Sequence, residues 1–229
     1  MDTPFVVQLD SDDWLPSGAL DILTSAASEL PTVVGVIHGN MKIVNENLDS
    51  DSDSTPKHAI KKGRQYTDRY DFLLSNSSVW PRFYRTRALR RIGGWPTDDP
   101  YEGRYLEDKR ILFRMIEGYR FHWIDEVLYV HRRQDYNQTD NKVEIYRHIT
   151  GWNIRDTLKR WGDHREPIFN VDEYGCLYID GFKMSKSDRT DSFSEKLSVL
   201  VEQVDYSNRI DISPILLDLI CGFCPYRVE

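Results

Sequence analysis

Residues 5–9, Phe-Val-Val-Gln-Leu, form a near-continuous apolar run that stops at Asp10-Ser11-Asp12-Asp13. Such a run fits a strand covered on both faces, as in a parallel sheet, with the polar residues turning at its carboxyl end. Ala19, Leu20, Leu23, Ala26, Ala27 and Leu30 then recur at helical spacing up to Pro31, and Pro16 suits a helix's first turn. Residues 33–37 read as another buried strand, and 41–44 continue as extended or irregular chain. The alternating Asp and Ser of 49–54 read as a solvated loop, since the Gly and the distal Glu of a calcium loop are missing.

From Tyr66 onward the elements shorten. Residues 68–74 predict a short helix, and 78–84 a strand that Pro81 assigns to a sheet edge or a bulge. Thr86 is placed to cap a helix over 86–92 that ends at Gly93-Gly94. After a loop rich in Pro, Asp, Gly and Tyr, Glu107-Asp108 open a helix whose apolar stripe is Ile111, Leu112, Met115 and Ile116. Residues 121–124 and 127–131 are strand-like on either side of Asp125-Glu126, and a charged loop follows to 141. Ile145, Ile149, Trp152 and Trp161 mark a helix over 143–161, interrupted in composition by Gly151. Residues 167–171 and 176–182 form a hairpin about Asp172-Glu173-Tyr174-Gly175, and Ser192 with Glu195 makes a capping box for a last helix. The order predicts an α/β fold over 1–141 and a small α+β extension over 142–229.

Composition narrows the function. With 40% apolar and 12% aromatic residues, 229 residues can build a core, and no apolar run approaches the roughly 20 residues that span a bilayer. A net charge of −7 argues against nucleic acid or an anionic membrane surface as partner. Three cysteines make no disulfide framework, and Cys221-Gly222-Phe223-Cys224 lacks the second pair that a zinc site needs. A cytoplasmic location is expected, with membrane association only through a segment outside this sequence.

The acidic turn is the first chemical candidate. Carboxylates at the carboxyl edge of an open α/β sheet lie where ligands bind, and Asp10 and Asp12 present hard oxygens suited to Mg²⁺ or Mn²⁺. Asp and Ser are equally ordinary turn and cap residues, and acids in a first helical turn commonly offset the helix dipole, as Glu107 and Asp108 would. The series in chain order raises the odds: Asp10-x-Asp12-Asp13 before a helix with Pro16, Arg85 then Gly93-Gly94-Trp95, Glu107-Asp108 twelve residues later, and basic residues after Tyr129. Over roughly residues 4–140 this series resembles the family 2 glycosyltransferases of the GT-A fold, a Rossmann-like mixed sheet.

The resemblance implies inverting transfer of a sugar from a nucleotide-diphosphate donor to a hydroxyl of a carbohydrate or glycolipid acceptor, assisted by Mg²⁺ or Mn²⁺. Asp10 and Asp12 match the metal- and donor-binding acids, Asp13 adjoins them, and Asp108 matches the general base. The cation would neutralise the departing diphosphate while the carboxylate removes the acceptor proton. Glu107 would bind acceptor or tune Asp108. Trp95 either stacks on an acceptor sugar or packs. Arg85 belongs to the same substrate-binding expectation, and Arg132 either contacts diphosphate, as its fork geometry permits, or is solvated.

Two departures qualify the match. The family's Tyr-Arg-x-His pattern reads here as Tyr129-Val130-His131-Arg132-Arg133-Gln134, so that with Arg132 on the family arginine Gln134 stands for the histidine. His131 either compensates or packs. The nucleotide-binding half of such a fold also precedes the acidic turn and needs at least two units of about 30 residues. Nine residues precede Asp10, so the chain is expected to be the carboxyl-terminal part of a longer enzyme or to receive the rest from another chain. The rival reading is a non-catalytic binding or oligomerisation module, self-associating through 142–229.

Overall fold

The computed structural model describes residues 3–45, 58–133 and 142–183. All fall within one compact unit, Met1–Met184. The Asp/Ser run of 49–54, the loop over 134–141, the Ser192 capping box and the paired cysteines lie outside the described residues. The chain is a mixed α/β protein with a mixed sheet. Strand β1 (Phe5–Gln8) pairs antiparallel with β4 (Trp80–Arg85), and β4 pairs antiparallel with the first half of β2 (Val34–Asn45). Past Gly39, β2 pairs instead with β3 (His58–Lys61), while β5 (Arg120–Arg133) runs parallel to β2 along its other side. Strands β1, β2 and β5 therefore share a direction, and their carboxyl ends form one edge.

This arrangement corrects the reading of β1. It is not an internal strand of a parallel sheet: among the described residues it pairs only with β4, antiparallel, and all four of its residues are half-buried. The apolar run is satisfied by one covered face, where Phe5 stacks on Phe83 at 5.3 Å between centroids. Conversely, β4 is internal. Pro81 is tolerated because the β2–β4 register shifts between Ile37 and Gly39, a bulge opposite the proline that removes the need for its missing N–H. The two strand-like pieces around Asp125-Glu126 are one strand with register shifts there, and 41–44 extends β2 rather than starting irregular chain.

Helix α1 (Ala19–Glu29) begins after Gly18, not at Pro16, whose carbonyl instead accepts the Ala19 N–H. It buries Ala19, Leu23 and Ala27, spaced by four, against Val34, Ile37, Phe83 and Leu128 on one face of the sheet. The opposite face carries the larger core: α2 (Arg69–Leu74), α3 (Thr86–Arg91), α4 (Glu107–Gly118) and α5 (Val143–Arg160) pack Phe72, Leu89, Ile111, Phe113, Met115, Ile154 and Leu158 around Val36, Tyr84 and Phe121. The hairpin β6 (Glu166–Val171) and β7 (Leu177–Lys183) adds Ile179 to this core. Residues 142–183 thus pack with the sheet.

The short helix expected over 68–74 is α2, and Asp68 is its cap, the carboxylate accepting from the N–H groups of Tyr70 and Asp71. Thr86 does not cap α3 as expected: Arg85 is the cap residue, no side chain caps the helix, and the buried Thr86 hydroxyl lacks a partner among the described residues. At the other end of α3, Gly93 and Gly94 take φ of 88° and 74°, and their N–H groups return to Arg90 and Leu89 carbonyls, as expected for a glycine C-terminus.

Gly39 marks the tightest approach in the bulge. A Cβ there would stand 2.7 Å from the Glu126 carbonyl oxygen, a backbone atom that cannot rotate away. Gly39→Ala is expected to lower unfolding free energy by about 1–3 kcal/mol, the usual cost of overpacking. Chemical denaturation measures this, and an unchanged midpoint would show that β2 and β5 part easily here.

Candidate functional site

Strand alternation sends Arg82 and Tyr84 to the face that carries α4, with Phe83 on the α1 face. Arg82 pairs in register with Gln8, so its guanidinium lies at the carboxyl end of β1. There Nη2 donates to Asp10 Oδ2 at 3.2 Å, while Nη1 donates to Asp108 Oδ2 in a short charge-assisted contact. Arg82 is 3% exposed, Asp108 22% and Asp10 47%, so the cation is the buried member of the trio. Burial alone would lower the Arg82 pKa, but Asp108 and Asp10 outweigh it and hold the guanidinium above its ordinary value.

Asp108 is fixed through one oxygen. The Ser78 hydroxyl also donates to Oδ2, at 3.5 Å, whereas Oδ1 receives no hydrogen bond among the described residues. One oxygen is held and the other is open among the described residues. Glu107 is half-buried beside it. Burial, opposed by its own backbone N–H and reinforced by the charges of Asp108 and Asp10, raises its pKa above the ordinary glutamate value.

The pair sits at the start of α4 because Leu106, at φ 52°, turns the chain into the helix and the preceding loop is anchored. Asp99 accepts from the N–H groups of Tyr101 and Gly103 and from Arg110 Nη1, the last at 2.8 Å in a fully buried pair. Arg110 also reaches Asp98 and lies over the Trp152 ring at 4.6 Å.

Asp13 anchors the acidic turn from the other side. Its buried carboxylate accepts from the Tyr129 hydroxyl at 2.7 Å, from His131 Nδ1 at 3.1 Å and from the Arg132 backbone N–H at 2.9 Å. Burial, and then the bond to Asp13, raise the Tyr129 pKa far enough to keep the phenol a donor. The same phenol lies 3.5 Å from Asp10 Oδ2. Trp14 and Val130 exchange backbone hydrogen bonds, so the turn is stitched to β5.

Asp10, Glu107 and Asp108 are therefore brought together, and they line one cleft of about 650 Å³ with Arg82, Asn76 and Lys109. Asp12 is exposed and does not line it. Trp95 packs edge-on to Tyr84, 6.0 Å between centroids, away from the cleft lining. Arg85 lies at the amino end of β1, and its guanidinium donates to the carbonyls of Val34, Ala27 and Leu30. Arg132 extends over the Trp14 ring at 5.6 Å.

Sequence reasoning passed over Arg82, Ser78 and Tyr129. For Arg82 a signal existed: a lone cation between Pro81 and Phe83-Tyr84, in a strand that must be buried, needs carboxylate partners. The fit to Mg²⁺ or Mn²⁺ is poor. Both oxygens of Asp10 lie within 3.4 Å of Arg82 Nη2, and Asp13 is fully engaged by β5. Of the three acids in the turn Asp12 alone has no hydrogen-bond partner among the described residues, where no group of three or more His, Cys, Asp or Glu side chains is arranged to hold a metal.

No family model matches the chain, and no curated protein matches it. Among solved structures it is similar to Staphylococcus aureus TarS residues 1–349, with 17% identity, a TM-score of 0.42, and 67% of this chain matched to 41% of that one. A second TarS structure gives 16% identity and 0.41, with 70% of this chain and 29% of that one covered. The chain thus spans less than half the length of either, and a likeness this distant carries no functional argument.

Two outcomes follow from the electrostatics. Arg82→Met removes the cation between Asp10 and Asp108 and should cost about 3 kcal/mol, the low end for breaking a buried pair because Asp10 stays half in water. Urea unfolding tests this, and a loss below about 0.5 kcal/mol, the scale of ordinary surface changes, would show the trio to be incidental. For Glu107 the folded pKa is raised, so its favourable contribution is present below the ordinary value of 4.5 and is lost as pH rises through the folded value. Glu107→Gln should therefore raise Tm at neutral pH, and the gain should vanish near about pH 4. A gain that persists in acid would contradict that origin.

Proposed function

We propose that this chain carries the base-bearing part of an inverting glycosyltransferase that moves a sugar from a nucleotide-diphosphate donor to an acceptor hydroxyl. The observation that carries the reading is the meeting of Asp10, from the end of β1, with Asp108, from the start of α4, on the buried Arg82 at the edge of one cleft. The motif series that resembles family 2 glycosyltransferases supports it independently of that geometry.

In this reading Asp108 accepts the acceptor proton through Oδ1 as the hydroxyl oxygen attacks the anomeric carbon. Arg82 and Ser78 hold Oδ2 and restrict the carboxylate to a narrow set of positions, which general-base catalysis requires. The α4 N-terminus adds a field that favours negative charge at this place. The donor diphosphate would lie toward the Asp10 turn. The identity of the donor's base and sugar and a cytoplasmic site of action are parts of the same proposal.

Transfer or hydrolysis of a nucleotide-sugar panel by the 229-residue chain tests the reading. Asp108→Asn should cut turnover by roughly 10²-fold or more, the span for a lost general base, with folding intact by circular dichroism. Glu107→Gln should keep most of it. If Glu107→Gln is inactive while Asp108→Asn turns over normally, the base is Glu107. If neither variant nor the parent chain turns over any donor, the non-catalytic module is the better description.

A further inference from the structure

The wall of the cleft facing Asp108 is built by a segment in which no motif is legible. Helix α5 supplies Tyr146 and Thr150, and the hairpin supplies Asp172, Cys176, Leu177 and Tyr178. We propose that this wall is the acceptor subsite, and that it selects a neutral, hydroxyl-rich saccharide over a phosphorylated or otherwise anionic one. The proposal rests on the transfer reading above and adds the chemical class of the acceptor.

Tyr178 carries the argument. It is half-buried and lines the cleft, yet its ring and hydroxyl have no hydrogen bond, ring contact or ion pair among the described residues. Tyr70, Tyr84, Tyr101, Tyr105 and Tyr129 each meet an aromatic ring or a polar side chain, and Tyr119 and Tyr174, which have no such partner among the described residues, do not line the cleft. An aromatic face with a polar tip, left open on a cleft wall, suits the C–H face and hydroxyls of a sugar ring. Beside it, Asp172 Oδ1 accepts from the N–H groups of Tyr174 and Cys176, which fixes the hairpin turn and leaves Oδ2 without a hydrogen bond among the described residues. A held carboxylate with one open oxygen is an acceptor for sugar hydroxyls.

Charge decides against an anionic acceptor. The cleft is lined by four acids, Asp10, Glu107, Asp108 and Asp172, and two cations. Of the cations, Arg82 is committed to Asp10 and Asp108, and Lys109 is turned to the Asn76 carbonyl at 3.2 Å. Burial, only partly opposed by Asp108, also lowers the Lys109 pKa. A phosphate entering this wall would meet Asp172 and Glu107 with no uncommitted guanidinium to receive it.

Saturation-transfer NMR on the 229-residue chain, with no donor present, tests this apart from catalysis. The probes are methyl α-glucoside and methyl β-N-acetylglucosaminide against glucose 6-phosphate and glycerol 3-phosphate. The methyl glycosides should receive saturation and the phosphates should not. Tyr178→Ala should weaken glycoside binding tenfold or more with Tm held, while Tyr174→Ala, a substitution at the exposed tip of the same hairpin, should leave it unchanged. Binding of the phosphorylated probes equal to or tighter than the neutral ones, no saturation of either glycoside, or an unaffected Tyr178→Ala would each overturn the proposal. The two readings fail separately: glycoside binding without any sugar transfer keeps the subsite and removes the transferase, whereas transfer with an acceptor KM untouched by Tyr178→Ala does the reverse.

Discussion

A guanidinium that cannot give up its proton has been placed inside the protein, and the site is organised around that constraint. Arg82 stands in an internal strand with 3% of its side chain exposed. Desolvating such a charge costs several kcal/mol unless carboxylates reach it, and the two that do come from the ends of separate elements, 72 residues before it and 26 after it. The ion pairs therefore fix the end of β1 relative to the start of α4. They also determine which oxygen of Asp108 is held and which is open. A cation supplied by the chain occupies the neighbourhood of Asp10 where a bound metal would otherwise be expected.

The rest of the edge is braced in the same manner. Asp13 closes the acidic turn onto β5 through three donors, and Asp99 closes the loop before α4 through three more. Both are buried carboxylates: Asp99 is met by two backbone N–H groups and the Arg110 guanidinium, Asp13 by one backbone N–H, the Tyr129 phenol and the His131 ring. Such networks hold geometry well because leaving any member unpaired in a low dielectric is costly. Between these braces, the two apolar faces of the sheet are packed by α1 on one side and by α2 to α5 on the other. The cleft lies where rigid strand ends, a pinned helix start and the β6–β7 hairpin meet, so its walls come from parts of the chain with unrelated local patterns.

Period and punctuation in the sequence determined most of the elements. The helices over α1, α2, α4 and α5, the hairpin of β6 and β7, the glycine end of α3 and the acidic turn after a strand all follow from short-range physics: side-chain spacing, capping and the turn preferences of Gly, Pro and Asp. The candidate acids Asp10 and Asp108 were legible because carboxylates at a strand end and a helix start have few positions to occupy. Strand partners were decided only by the tertiary structure. An apolar run is equally content inside a parallel sheet or half-covered at an antiparallel edge, and so β1 and β4 exchanged the places expected for them. Likewise Arg85, read as a site residue, is directed by its strand position to carbonyls at the end of α1 and the start of β2, while Arg82, three residues earlier, reaches the acids. Three residues along a strand reverse the face and move the side chain by about 10 Å, a difference that motif spacing does not record. The cleft's far wall was beyond sequence reading for the same reason: Tyr178 and Asp172 face Asp108 only because α5 and the hairpin fold back onto the sheet's larger core.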